Sequence, residues 1–228
     1  MTWFSSILIN PQKREGRKLL GNRQLMHKAV LQAFPPGLLE ESGERVLWRL
    51  DQEGIKYTLY VVSPLEPDFT HIVEKAGWVS QTWNSIHYGT FLDRLMVGQE
   101  WGFRLQANPV KRESTPPGSR GKALPHVNPE QQINWLTQRS ADFGFEIKEA
   151  PQSLTGLAVD VTNREDLRFS RKDPRQGGRS AQVTLRKAQF DGVLKVTDAE
   201  SLKSALIQGI GRGKAYGCGL MTLRRVAA

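Results

Sequence analysis

Hydrophobic and polar positions alternate in four short stretches of the first half of the chain, which is the pattern of half-buried strands. The stretches are rich in β-branched and aromatic residues, which favour strands. They cover residues 3–9, 45–50, 57–62 and 101–110. The turn residues from Asp51 to Gly54 separate the second stretch from the third, so these two are predicted to form a hairpin.

Two helices are predicted between these strands. Asn22 is a suitable N-cap for a helix that runs to about residue 34 and stops before two prolines. Residues 69–76 predict a shorter helix that ends at Gly77. The order β-α-β-β-α-β is the ferredoxin-like arrangement, with two helices on one face of an antiparallel sheet. A basic loop is predicted ahead of Asn22, formed by Lys13, Arg14, Arg17 and Lys18.

The second half has a similar order of elements. A proline-rich stretch, residues 113–129, predicts a linker or loop. A helix over residues 129–143 follows it, and Asp198 is the predicted N-cap of a terminal helix. Strands are predicted at residues 145–148, 157–161, 183–187 and 192–196, and a last one at 220–223. We therefore predict an α+β protein with two tandem ferredoxin-like (RRM-like) βαββαβ domains, at residues 1–112 and 130–228.

A glycine-rich loop joins the terminal helix to the last strand. Its glycines are Gly209, Gly211, Gly213, Gly217 and Gly219, and Arg212 and Lys214 lie between them. Backbone N–H groups and these two cations could hold the phosphates of a polymer. The loop follows a helix rather than a strand, which argues against a nucleotide P-loop. A tight connection between a packed helix and a sheet is the alternative, and the pattern leaves both open.

The net charge of the chain indicates which class of partner it binds. The chain of 228 residues has a net charge of +9 and a pI near 9.8, which favours a polyanion such as nucleic acid. A membrane surface is less favoured, because no basic helix with an aromatic face is present. The single cysteine, Cys218, excludes an intrachain disulfide and fits a reducing cytoplasm. The N-terminus has no basic leader, and no apolar run reaches the roughly 20 residues of a membrane helix.

Residues 164–187 concentrate this charge. With Asp173-Pro174 and Gly177-Gly178 in its middle, the segment predicts a flexible hairpin that contacts RNA or DNA, the alternative being a solvated loop. Its eight basic residues are Arg164, Arg168, Arg171, Lys172, Arg175, Arg179, Arg186 and Lys187.

His27 is the strongest candidate for catalysis. It lies at the border of the apolar face of its helix, one turn after Arg23. An imidazole near neutral pH can take the 2′-hydroxyl proton of RNA or protonate the leaving 5′-oxygen without a metal. A half-buried packing histidine is the alternative. The apolar face is predicted to contain Leu25, Met26, Ala29, Val30 and Ala33, and the opposite face Gln24, Lys28 and Gln32.

The other reactive residue types suggest no further site. His71, His87 and His126 are interpreted as ordinary structural or surface residues, and Cys218 lacks a partner base. No histidine has a metal-ligand spacing with a cysteine or carboxylate, so neither a metal nor another cofactor is predicted.

Three stretches together resemble the CasE family, the CRISPR repeat-processing endoribonucleases of type I-E Cascade. They are Leu8-Ile9-Asn10-Pro11 followed by Met26-His27, then Phe103-Arg104-Leu105-Gln106-Ala107-Asn108-Pro109-Val110-Lys111, and finally Gly217-Cys218-Gly219-Leu220. The likeness extends over nearly the whole chain, and the second and third stretches are its most specific parts.

The resemblance implies tandem ferredoxin-like domains and binding of the stem-loop of precursor CRISPR RNA. It implies one metal-independent cut at the 3′ base of the stem, with a 2′,3′-cyclic phosphate and a 5′-hydroxyl as products. It also implies that the product is retained and that other Cascade subunits are partners. His27 matches the position of the family's catalytic histidine, whereas Gln24 stands where relatives often have a tyrosine.

We therefore predict a cytoplasmic endoribonuclease with His27 as its catalytic residue. A non-catalytic RNA-hairpin-binding subunit is the alternative that Gln24 keeps open, and a glycine-loop enzyme acting on a mononucleotide is less favoured. The predicted RNA-binding residues are Arg23, Lys28, Lys111, Arg168, Arg171, Lys172, Arg175, Arg179, Arg212 and Lys214.

Overall fold

The structure is a computed structural model. It describes residues 1–37, 39, 44–113, 123–172 and 180–226, with the backbone alone at residues 170–172 and 180–183. The predicted RNA contacts Arg175 and Arg179 therefore lie outside the described residues, and so do the side chains of Arg171 and Lys172.

The first sheet has the strand order β2-β3-β1-β4, and all its neighbours are antiparallel. Its strands are β1 (Trp3–Ile9), β2 (Leu47–Glu53), β3 (Lys56–Ser63) and β4 (Asn84–His87). The predicted hairpin is confirmed, but its turn is at Gly54 and Ile55. Asp51 was wrongly placed in the turn, because it lies in β2 and pairs through its backbone with Thr58.

The helices of this unit whose bounds lie within the described residues are α1 (Arg14–Gly21), α2 (Arg23–Leu31), α3 (Thr70–Ala76) and α4 (Gly89–Leu92). The predicted basic loop was wrong, because Arg14, Arg17 and Lys18 lie in α1 and Lys13 directly precedes that helix. Leu19 and Leu20 pack against the first core, so the charges of α1 occupy the remaining helix surface. The prediction that Asn22 caps α2 is confirmed, since its side chain accepts hydrogen bonds from the N–H groups of Gln24 and Leu25.

Met26, Ala29 and Val30 fix the buried face of α2 against the first sheet. Leu25 was wrongly placed on this face, because its side chain is 43% exposed. Successive helix residues are rotated by about 100°, which turns Leu25 to the edge of the stripe centred on the buried residues. The helix ends at Leu31, about one turn earlier than predicted.

The second sheet has the order β11-β5-β10-β8, and β9 pairs with β10 beside it. Its strands are β5 (Glu100–Ala107), β8 (Phe145–Ile147), β9 (Val159–Lys172), β10 (Ser180–Val196) and β11 (Met221–Arg225). The helices α5 (Pro129–Ser140) and α6 (Ala199–Gln208) accompany it, with a 3-10 turn at Ala141–Phe143. Two short strands, β6 (Val110–Arg112) and β7 (Ala123–Pro125), pair antiparallel. β6 ends just before the predicted linker at residues 113–129, and β7 lies inside it.

Residues 101–110 were wrongly assigned to the first sheet. Their main part is β5, which pairs with β10 and β11 of the second sheet, whereas β4 completes the first. Each unit then has the ferredoxin-like order βαββαβ, so the predicted fold class is confirmed. The predicted division at residue 112 stays a prediction, and the pairing of β5 favours a boundary before Glu100.

The two strands predicted at residues 183–187 and 192–196 are one strand, β10, which has 17 residues. It pairs with β9 from Gly192 to Ser180, so the segment predicted as a flexible hairpin is largely a paired two-stranded ribbon. We call the part of this pair from Arg164–Lys172 and Ser180–Ala188 the β9–β10 ribbon. A register shift between Gln189 and Phe190 separates it from the rest of the sheet.

The two units share a polar and apolar contact. Leu47 and Val62 of the first sheet lie in the second unit's core. The buried guanidinium of Arg49 in β2 donates to the carbonyl oxygens of Arg104 (2.8 Å) and Leu220 (3.1 Å) in the second unit. These bonds fix how the helices of the first unit lie relative to the second sheet.

Candidate active site and nucleic-acid interface

Helix α2 holds His27 at the junction of the two units. The imidazole is half-buried, and its Nδ1 atom is fully buried with no hydrogen-bond partner among the described residues. Burial lowers the pKa of His27 below its ordinary value. At neutral pH the ring is therefore uncharged and able to accept a proton.

The glycine-rich loop lies beside this helix. Its 3-10 turn, Lys214–Tyr216, packs against α2 and against β2. The ring of Tyr216 contacts the ring of Phe169 in β9, with centroids 4.5 Å apart. The structure thus brings together three parts that are distant in sequence: the histidine helix, the glycine-rich loop and the β9–β10 ribbon.

Packing explains the glycines of the loop. All five have positive φ, a conformation that side chains disfavour. A Cβ at Gly217 would lie 2.7 Å from the ring of Trp48, and one at Gly211 would lie 3.1 Å from the ring of Trp135. The loop also uses its own N–H groups, since Ile210 donates to Gly219 and Gly219 donates to Gln106. Of the two interpretations left open above, these contacts support the tight connection.

The two cations of the loop differ in their surroundings. Arg212 is exposed, and its backbone forms a bridge with Asn108. Lys214 is half-buried and donates from Nζ to the carbonyl oxygen of Gln208 at 2.6 Å. Burial, together with the nearby Arg45, lowers the pKa of Lys214. Arg212 is therefore the more accessible of the two to an external phosphate.

Some cations of the ribbon are exposed, whereas others are held by hydrogen bonds within the protein. Arg168 is exposed. Arg164 is also exposed and donates to the carbonyl oxygen of Val127 at 3.2 Å. Arg186 is held by Asp166 through two hydrogen bonds of 2.7 Å each. Arg168 is thus the ribbon candidate whose described side chain stands most open to a ligand.

The other predicted RNA contacts are distributed unevenly. Lys28 is exposed and adjacent to His27 on α2, so it lies near the candidate site. Lys111 is exposed on β6, the short strand that pairs with β7. Arg23 has a side chain only 10% exposed and pairs with Glu165 at 3.1 Å.

The remaining reactive residues have structural surroundings, as predicted. His71 contacts the carbonyl oxygen of Ala29 through Nε2 at 2.9 Å, which ties α3 to α2. His87 is exposed and lies edge-on to Trp3, with centroids 5.8 Å apart. Cys218 is buried, and burial raises the pKa of its thiol to about 11. Such a thiol stays protonated and is a poor nucleophile at neutral pH.

Sequence reasoning missed the polar network between the sheets. The Arg49 guanidinium bonds to Asp51 through Nε (2.7 Å) and Nη2 (2.9 Å), and Asp51 also lies 3.4 Å from Arg104. Arg104 in turn donates to Asp191 at 2.6 Å. The available signal was that Arg49 and Asp51 have opposite charges and stand two residues apart, on one face of a strand whose neighbouring residues Leu47, Trp48 and Leu50 are apolar.

A polar cleft of about 720 Å³ opens beside α2 between the two units. It is lined by residues of both, including Arg23, Tyr57, Gln106, Arg164 and Lys187. Over the described ranges, no three histidine, cysteine or carboxylate side chains come together as a metal site. Within the same ranges, no helix is long and apolar enough to cross a membrane.

Comparison with known sequences gives a consistent family. The model of a family described as CRISPR associated protein matches residues 2–225. The chain is 32% identical over 224 residues to the CRISPR-associated endoribonuclease Cse3 of Thermus thermophilus, covering 97% of this chain and 99% of that protein. It is also 28% identical over 142 residues to the Cascade subunit CasE of Escherichia coli, covering 57% and 60%.

Solved structures give the same result. A CRISPR endoribonuclease Cse3 bound to a 19-nucleotide RNA superposes with a TM-score of 0.79 at 30% identity, covering 98% of this chain and 99% of that one. Thermus thermophilus Cse3 bound to an RNA representing a pre-cleavage complex gives 0.78 at 29% identity, with coverage of 98% and 99%. Escherichia coli Cas6e gives 0.56 at 20% identity, with coverage of 99% and 100%, which shows a shared fold.

Proposed function

The chain belongs to the CRISPR-associated protein family over residues 2–225, and from this premise we propose that it is a repeat-processing endoribonuclease. Its substrate is the stem-loop of precursor CRISPR RNA, which it cuts at the 3′ base of the stem. A relative that covers 97% of the chain is named as an endoribonuclease, and two similar structures contain RNA. The protein joins other Cascade subunits, as the name of the Escherichia coli relative suggests. Retention of the product belongs to the same proposal and follows from the resemblance to the CasE family alone. It acts in the cytoplasm, where transcripts are available.

The position of His27 is the observation that carries this proposal. Its uncharged imidazole lies on a helix that contacts both the glycine-rich loop and, through Arg23, the basic ribbon. A proton acceptor is thereby placed beside two surfaces that carry positive charge. A ribonuclease that uses the substrate's own 2′-hydroxyl needs that combination of a base and phosphate-binding cations.

The reaction is an internal transfer at phosphorus. His27 accepts the proton of the ribose 2′-hydroxyl, and the 2′-oxygen forms a bond to the adjacent phosphorus. The bond from phosphorus to the 5′-oxygen then breaks, and this oxygen takes up a proton from water as it leaves; the proton held by His27 returns to the solvent. The products are a 2′,3′-cyclic phosphate and a 5′-hydroxyl. Gln24 has no acidic proton, so cations such as Lys28 and Arg212 stabilise the charge that develops on the phosphate.

The stem is held mainly through its phosphates. The deep groove of an A-form stem exposes little base information, so recognition depends on shape and backbone contacts. Arg168 and Arg212 are the exposed cations that the ribbon and the glycine-rich loop offer for this contact. The proposal also includes further phosphate contacts predicted from the sequence, which are Lys111, Arg171, Lys172, Arg175 and Arg179.

A repeat RNA with one 2′-deoxy nucleotide at the scissile position tests the mechanism. We expect the purified protein to cut the all-ribose RNA in EDTA as fast as in Mg²⁺, and to bind the deoxy RNA without cutting it. Denaturing gels and filter binding measure the two quantities. Cleavage of the deoxy RNA would exclude attack by the 2′-hydroxyl, and loss of activity in EDTA would exclude the metal-independent reaction.

A non-catalytic RNA-holding subunit is the second candidate, and Gln24 at the position of the family's frequent tyrosine is the observation that favours it. The same gels decide between the two. Tight binding of several candidate repeats with no cleavage of any would support the holding function and reject the enzyme.

A further inference from the structure

One carboxylate joins the histidine helix to the β9–β10 ribbon. Oε2 of Glu165 in β9 lies 3.1 Å from Nη2 of Arg23 in α2 and 2.7 Å from Nζ of Lys187 in β10. Arg23 belongs to the first unit, whereas Glu165 and Lys187 belong to the second. A single oxygen atom therefore holds a cation from each unit.

Burial makes this contact more than a surface ion pair. The side chains of Lys187 and Arg23 are 5% and 10% exposed, respectively, and that of Glu165 is 39% exposed. Burial tends to raise the pKa of Glu165, but Lys187 and Arg23 outweigh it and hold the pKa below its ordinary value. The carboxylate is thus charged at neutral pH. Two poorly solvated cations depend on it, because water reaches neither of them well.

The contact is also well placed to orient His27. Arg23 precedes His27 by four residues, so both lie on one side of α2, about one turn apart. The buried residues Met26 and Val30 bind α2 to its own unit but do not relate it to the ribbon. Four residues further along β9, the contact between Phe169 and Tyr216 joins the same strand to the glycine-rich loop. Strand β9 is therefore held at two points, by α2 at Glu165 and by the glycine-rich loop at Phe169.

We propose that Glu165 is a positioning residue for cleavage: it bridges Arg23 and Lys187 and thereby sets the position of His27 relative to an RNA stem held by the ribbon. This inference rests on the proposed function. It assigns Arg23 to holding the protein together rather than to binding phosphate. A shift of about 1 Å in a catalytic group can cost roughly a hundredfold in rate, so loss of the bridge should act on the chemical step.

The variant Glu165→Gln keeps the size of the side chain and removes its charge. We expect the single-turnover cleavage rate at saturating protein to fall by about 10–100-fold. We expect the Kd for the non-cleavable 2′-deoxy RNA to stay unchanged or to decrease, because an acid has been removed near a polyanion. Glu165→Asp, which can restore part of the bridge, should give an intermediate rate.

Glu146→Gln is the matched control. Glu146 pairs with Lys195 at 3.3 Å in the same sheet, but its side chain is 55% exposed and lies away from α2. This variant should cleave like the wild type. If Glu165→Gln binds more tightly and cleaves at the wild-type rate, then Arg23 is a phosphate ligand that Glu165 restrains, and the proposal is overturned. Parallel losses of binding and rate would also overturn it.

A second variant covers the case in which Glu165→Gln fails to fold around an uncompensated lysine. The double variant E165Q/K187M removes the buried cation as well and leaves an apolar side chain of similar length. It lacks the bridge to Arg23, so we expect the same selective loss of rate. A wild-type single-turnover rate in this folded double variant would overturn the proposal.

Histidine imidazole spectra separate this inference from the proposed function. In ¹H–¹⁵N spectra of the free protein, we expect Glu165→Gln to shift the His27 resonances and to leave those of His87 in place. If the wild type cleaves no repeat RNA, the proposed function fails, and these spectra still decide the positioning role. Unchanged His27 resonances would show that Glu165 does not set its position.

Discussion

The two ferredoxin-like units have the same strand order but are elaborated at different places. In the first, β2 and β3 are joined by a tight turn at Gly54, and the additions are the helices α1 and α2 between the first two strands. In the second, β10 extends to 17 residues and pairs with β9 in a ribbon. One unit thus supplies a histidine on a rigid helix, and the other supplies an extended basic surface. The comparison teaches that one fold can carry two different sites: in the proposed function, the first unit contributes the proton acceptor and the second contributes cations that hold the RNA.

The largest effect is expected for a variant that loses cleavage but keeps RNA binding. His27→Ala should lower the single-turnover cleavage rate by about 10²–10⁴-fold, since it removes the proton acceptor, while the Kd for deoxy RNA changes little. His87→Ala, an exposed histidine of the same unit, should cleave like the wild type. Equal losses of binding and cleavage in His27→Ala would instead give His27 a structural role.

The next largest effect is expected for the stability of the protein, when the buried contact between the two units loses a charged partner. Asp51→Ala leaves the guanidinium of Arg49, which is 2% exposed, without its carboxylate, so we expect a loss of about 3–5 kcal/mol in the free energy of unfolding. Glu53→Ala, on the same strand, removes a side chain that is 71% exposed and should change stability by less than about 0.5 kcal/mol. Urea unfolding followed by tryptophan fluorescence measures both, and similar values would contradict a buried junction.

The packing of the glycine-rich loop gives a smaller effect. Gly217 has a φ of 81° and meets the ring of Trp48, so Gly217→Ala should cost about 2–4 kcal/mol through strain and a steric clash. Gly54 has a φ of 58° but open space around its Cα, so Gly54→Ala should cost about 1 kcal/mol from strain alone. Equal costs in thermal unfolding would show that the loop does not depend on this close contact.

RNA binding by the second unit should weaken as the salt concentration rises. Arg168→Ala should weaken RNA binding and reduce the slope of log Kd against log salt by about one, with the single-turnover rate at saturation unchanged. Lys195→Ala removes a cation of β10 outside the ribbon and should leave the slope as it is. If Arg168→Ala leaves the slope unchanged, RNA does not contact this part of the ribbon.

The smallest expected effect is a shift in pH dependence. Because the pKa of His27 is lowered by burial, its base form persists below the ordinary histidine value of about 6.5. The acidic limb of kcat/KM should therefore have its midpoint below about pH 6.5, and activity should be lost as the pH falls through it. The unfolded chain binds this proton more readily, so the contribution of His27 to stability should also decline as the pH falls below about 6.5. A midpoint above this value would contradict the neutral histidine.

Local patterns allowed much of the fold to be predicted, because caps and alternation act over a few residues. Asn22 and Asp198 cap the helices α2 and α6 as their side chains indicated, and β1 has the predicted bounds. Two predictions failed: the basic residues of α1 were expected to form a loop, and β5 was assigned to the first sheet instead of the second. Which sheet a strand joins depends on pairing with distant residues, as when Trp101 of β5 pairs with Arg225 of β11. Local alternation carries no information about that choice.

The sequence by itself determined the ferredoxin-like fold class, the positive charge and the border position of His27 on its helix. Only the tertiary structure decided that Glu165 takes Arg23 as a partner, that the loop glycines face Trp48 and Trp135, and that β10 is one continuous strand. The physical reason is that hydrophobic period and capping are properties of neighbouring residues. Burial of a charge depends instead on which distant side chains close around it.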